Sequence, residues 1–137
     1  MHSRSAMLAS YQSVATHGGV AAADPHRLIL MLIDGALERV AQAIGCMRRG
    51  ATSESSTLLH RAVSIIDELR NSLDMHSGGA IAQNLESLYE YMCRQLMRAS
   101  LESRVELLDE VMRLLNEIRS AWIALPAAAR QLRPALP

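Results

Sequence analysis

Phenylalanine is absent from this chain, tryptophan occurs once and tyrosine three times, so aromatic rings contribute little to any core it builds. That core must be made of Leu, Ile, Val, Ala and Met, a set that helices pack readily, and Met is present eight times. Cysteine is equally sparse. Cys46 and Cys93 share no C-x-x-C or other ligand spacing, which argues against both a disulfide framework and a zinc site. No apolar run approaches the roughly 18 to 20 residues needed to cross a bilayer, and the leading MHSRSAMLASYQ lacks the apolar stretch of a secretory signal. The expectation is a cytoplasmic chain with reduced thiols and no membrane insertion. A charge excess of either sign is also missing: basic and acidic residues both number 14. Without a basic run there is no footprint for a phosphate backbone, and nucleic acid is not an expected partner.

Signatures of catalysis are missing too. A di-metal carboxylate bundle requires Glu-x-x-His pairs, and none occurs. His2, His17, His26, His60 and His76 are scattered over what read as termini, caps and loops, with no evident triad among them, and no phosphate loop is present. Neither an enzyme nor a metal or other cofactor is expected.

What is there is helical periodicity. Asp24 is placed to cap a first helix with Pro25 at its first position, where the missing N–H costs nothing. Ile29, Ile33, Ala36, Val40, Ala43 and Met47 form its seam to about Arg48, while Leu28, Leu30, Met31 and Leu32 make its first turns apolar on every side. Such a helix needs cover on its outer face, from the N-terminal segment, a second subunit or a partner. Gly50 and Ala51 to Ser56 break the pattern. A second helix follows with Leu58, Ala62, Ile65 and Leu69 on one face, broadened by Leu59, Val63, Ile66 and Leu73; Arg61, Asp67, Glu68 and Arg70 read as its solvated face.

The stretch Asn71 to Met92, NSLDMHSGGAIAQNLESLYEYM, organises the rest: a helix stops near Ser72, the chain turns on Gly78 and Gly79, and a third helix runs from about Ala80 to Ala99. Ile81, Leu85, Leu88 and Met92 fall on one apolar face flanked by Asn84, Tyr89 and Tyr91. Asn84 suits an internal hydrogen-bond network or a partner contact. Ser103 and Glu106 have capping-box spacing for a fourth helix with Leu107, Val111, Leu114, Ile118 and Leu125 as its seam and Leu108, Met112, Leu115 and Trp122 beside it. Pro126 ends it. The expected fold is all-α, an antiparallel four-helix bundle over residues 24–125. Before it lies a lead, residues 1–23, with a short helical cluster of Met7, Leu8, Tyr11 and Val14; after it lies a disordered tail, residues 126–137.

Leu28 to Ala36, LILMLIDGA, following an Asp-Pro, together with Asn71 to Met92, resembles the flagellin-specific flagellar secretion chaperones, the FliS family. Tyr11 ahead of the first helix and Leu114 to Trp122 extend the likeness from about Tyr11 to Leu125. Ile33 departs from it, standing where the family commonly has Tyr. The resemblance implies a chaperone that binds the disordered C-terminal segment of flagellin, prevents early polymerisation and delivers it to a flagellar type III export gate protein without nucleotide. An anti-sigma factor or other flagellar regulator is a further candidate partner. By the same resemblance, partner contacts fall on Tyr11, Leu28, Met31, Leu32, Ile33, Asn84, Leu85, Leu88 and Tyr89, and Asp74, Gly78 and Gly79 shape the turn. The alternative is a structural bundle that buries its extra apolar face against a copy of itself.

Overall fold

The Asp24 carboxylate accepts the Arg27 N–H at 3.3 Å and Pro25 occupies the first turn, so the first helix starts where its cap residues dictate. The computed structural model describes residues 24–125. Four helices follow in order, α1 (Pro25–Arg48), α2 (Thr52–Asn71), α3 (Gly79–Glu102) and α4 (Val105–Ile123), with no strand among the described residues. The expected N-terminal cluster around Tyr11 and the tail beyond Leu125 lie outside them.

Each helix packs on two neighbours: α1 on α2 and α4, and α3 on α2 and α4. Cross-helix bonds fix the directions. His26 and Asp34 near the start of α1 meet Trp122 and Arg119 near the end of α4, Arg70 at the end of α2 meets Glu86 and Glu90 of α3, and Glu110 of α4 accepts from Tyr91 and Gln95 of α3. The result is an antiparallel four-helix bundle. The starts of α1 and α3 and the ends of α2 and α4 share one end; the α1–α2 and α3–α4 connections share the other.

All four helices contribute to one core: Leu32, Ile33, Ala36, Val40 and Ala43 from α1, Leu59, Ala62 and Ile66 from α2, Met92, Leu96 and Ala99 from α3, and Leu108, Val111 and Leu115 from α4 are all fully buried. Each large aliphatic side chain among them contributes about 1.5–3 kcal/mol relative to exposure. Tyr89, 3% exposed, is the one aromatic ring in this core among the described residues.

Five sequence expectations are corrected. The α2 helix begins at Thr52 and not after Ser56, because its early hydroxyls bond to the helix's own carbonyls: Ser55 Oγ donates to Thr52 O at 3.0 Å and Thr57 Oγ1 to Ser53 O at 3.2 Å. The same helix places His60 within it, its Nδ1 2.8 Å from Ser56 O, and buries Glu68 to 2% exposure, so that side chain is not part of a solvated face. No capping box forms at Ser103. The α3–α4 connection is so short that Ser103 closes α3 in the left-handed region (φ 53°) and Arg104 caps α4 without a side-chain bond. The α3 stripe is rotated, with Ala82, Tyr89, Met92, Leu96 and Ala99 inward and Ile81 outward at 74% exposure.

Candidate partner-binding surface

The rotation of α3 is set by the turn before it. Asp74 Oδ1 accepts the N–H groups of His76 and Ser77, each at 3.0 Å, and Asp74 O accepts Gly78 N–H at 2.8 Å. The bond from Ser77, with the other turn contacts, holds the Asp74 carboxyl below its ordinary value of 3.8. Gly78 then passes so close to α3 that an added Cβ would lie 2.5 Å from Ala82 Cβ and 2.7 Å from Asp74 O. Ala82 is thereby held inward, and its neighbour Ile81, 100° further back around the helix, faces solvent. Gly79 follows at φ +56°, a conformation glycine adopts freely.

This geometry sorts the residues expected to meet a partner. Leu28 and Met31 on α1 and Leu85 and Leu88 on α3 are half-buried, each retaining accessible apolar surface. Asn84 is exposed, so it belongs to no internal network. Leu32 and Ile33 are fully buried and Tyr89 nearly so, which places them in the core beneath the surface; the apolar face they occupy is the one that α1 and α3 turn toward their neighbours. Burial of the Tyr89 phenol pushes its pKa up to about 12. Tyr11 lies outside the described residues.

Three features had no sequence signal of their own. Ile81, Met75 and Ile123 are exposed at 74%, 39% and 41%, and all three sit at the end of the bundle where α1 and α3 begin. At that same end His26 Nε2–H donates to Trp122 O at 2.8 Å while Trp122 Nε1–H donates to His26 O at 2.9 Å, with the two rings stacked at 5.1 Å and 9°. This reciprocal clasp joins the first turn of α1 to the last turn of α4, across 96 residues of sequence. Cys93, between α2 and α3, is the third. Burial first and the nearby Asp67 carboxylate second push its thiol up to about 12, so it is chemically quiet. Among the described residues no group of His, Cys, Asp and Glu could hold a metal ion, and no helix is long and apolar enough to cross a membrane.

The family profile described as flagellar protein FliS matches residues 7–129 of this sequence. The chain belongs to the FliS family. Among curated relatives, the flagellar secretion chaperone FliSB of Pseudomonas aeruginosa is 46% identical over 112 residues, 82% of this chain and 89% of the relative. The flagellar secretion chaperone FliS of Vibrio cholerae is 36% identical across 93% of this chain and 94% of its own length, and that of Salmonella typhimurium is 39% identical across 82% and 84%. FliS proteins are flagellar secretion chaperones, not enzymes.

Proposed function

We propose that this FliS protein acts in the cytoplasm on flagellin, binding its disordered C-terminal segment, preventing premature polymerisation and delivering it to the flagellar type III export gate. The observation that supports this reading, beside family membership, is Ile81 at 74% exposure next to the buried Ala82 and on the same helix as the half-buried Leu85 and Leu88. A β-branched aliphatic side chain held out by a tight turn, at the same end as Met75, Ile123, Leu28 and Met31, is surface that a self-sufficient bundle does not need. An apolar segment laid over Ile81, Leu85 and Leu88 is the helix-groove recognition that such spacing serves.

Seeded polymerisation of flagellin, followed by light scattering, tests the proposal. An equimolar amount of this protein suppresses filament growth, and Ile81→Glu weakens the suppression while leaving the fold intact. Growth unaffected by the wild-type protein contradicts the reading.

A further inference from the structure

At the opposite end of the bundle an open groove of about 570 Å³ lies between the last turns of α1 and the first turns of α2. It is lined by Gly45, Cys46, Arg49, Thr57, Leu58 and Arg61, with Gln42, Ser53 and Glu54 completing it. The space in front of Gly45 is open: a Cβ there would meet only the end of the Arg49 side chain, at 3.4 Å. On α1 the lining spans Gln42 to Arg49 and on α2 Ser53 to Arg61, about 10–12 Å at the helical rise. That length suits three or four residues of extended chain.

The charges point to the occupant. Arg39, Arg70, Arg94, Arg98, Arg104 and Arg119 each have a carboxylate partner. Among the described residues Arg27, Arg48, Arg49, Arg61 and Arg113 have none, and of these Arg49 and Arg61 line the groove, where the Arg49 guanidinium makes only a 3.4 Å contact with Cys46 Sγ. Glu54 is the only acidic group in the lining and pairs with neither, which leaves a net positive groove on a chain that is formally neutral. Guanidinium groups without partners are ready for bidentate recognition of carboxylates. Leu58 and the bare backbone at Gly45 offer apolar contact between them, which a simple ion site would not require.

We propose that this groove docks an acidic, extended segment of a second protein, its carboxylates on Arg49 and Arg61 and a small apolar side chain over Gly45 against Leu58. Leu28 and Gly45 are separated by about 25 Å along α1, so this site and the apolar end can be filled together. The inference does not depend on flagellin being the occupant of that other end.

Amide chemical-shift mapping of the full chain with an acetylated octapeptide of alternating Glu and Ala tests it. Shifts confined to residues 42–61 are expected, with no response to the corresponding Lys-Ala peptide. Arg49→Ala with Arg61→Ala weakens binding about tenfold or more, and raising NaCl from about 50 to about 500 mM weakens it similarly. Gly45→Leu keeps both charges but fills the groove, and it also weakens binding about tenfold, as loss of a shaped site requires. Absent or dispersed shifts overturn the proposal. So does wild-type affinity in Gly45→Leu, which would mean unspecific charge attraction, or inorganic phosphate binding as tightly as the peptide, an adventitious ion only.

Discussion

Replacing Gly78 by Ala adds one methyl group in a place where nothing can yield cheaply. The new Cβ would stand 2.5 Å from Ala82 Cβ and 2.7 Å from Asp74 O, the first fixed by the α3 backbone and the second itself backbone. The backbone at Gly78 has φ −78°, which alanine accepts, so the cost is steric alone. Relief requires the turn to open, lengthening the 2.8 Å bond from Gly78 N–H to Asp74 O and rotating α3 away from its packing phase. Overpacking of this kind costs about 1–3 kcal/mol, and a lost bond near a helix start adds to it. Two nearby comparisons isolate the cause. At Gly79 there is room for a methyl but φ is +56°, so Gly79→Ala loses about 1 kcal/mol through backbone strain. At Gly45, inside α1 with open space in front of it, alanine gains about 0.5–1 kcal/mol of helix propensity. Urea unfolding followed by circular dichroism at constant m should therefore rank Gly45→Ala above wild type, then Gly79→Ala, then Gly78→Ala. Gly78→Ala as stable as wild type would refute the claim that this contact sets the phase of α3.

Other expectations follow from the same contacts. Trp122→Ala removes both the ring stacked on His26 and the indole donor to His26 O, and should cost about 2–4 kcal/mol by denaturant titration, whereas Leu101→Ala, at an exposed side chain, should change stability by less than about 0.5 kcal/mol. Cys93, half-buried against α2 with its thiol pushed up to about 12, should react slowly with a thiol reagent at pH 8, and labelling as fast as that of a free thiol would contradict the raised value. Because the Asp74 carboxyl is held below 3.8, its turn bonds stabilise the fold above that pH and are lost as pH falls through the lowered value. Asp74→Ala should therefore be less stable than wild type at pH 6 and should approach it near pH 2, and a difference that does not narrow would contradict the assignment.

How far the sequence anticipates this structure depends on the range of the interaction concerned. The α1 boundaries are legible because their causes are local: the Asp24 cap, Pro25 in the first turn, and Gly50 at φ +76° beyond the end. The α1 and α4 seams are legible from their period. The α3 phase is not, since the stripe through Ile81 and the stripe through Ala82 share Met92 and differ by about one residue of rotation. The choice between them rests on the contact of Gly78 with Ala82, which only the folded turn reveals. Ser103 fits a capping box by spacing, yet it is used to reverse the chain. Glu68 is assigned to solvent by any charge rule, and its burial is a tertiary outcome. The candidate surface divides the same way: Leu28, Met31, Leu85 and Leu88 are visible as surplus apolar residues, whereas exposed Ile81, the His26–Trp122 clasp and the Arg49–Arg61 groove arise from residues brought together by packing.

In the proposed function this FliS bundle captures a disordered flagellin segment through apolar burial at the end that carries Ile81. Isothermal calorimetry of the flagellin C-terminal peptide, over a range of temperature and salt, for wild type and Ile81→Glu tests it most directly. A clearly negative heat-capacity change is expected, with an affinity that varies little with salt and a loss of about tenfold or more in Ile81→Glu, the equivalent of one aliphatic contact removed. A steep salt dependence with little heat-capacity change, or Ile81→Glu binding as wild type does, would contradict it.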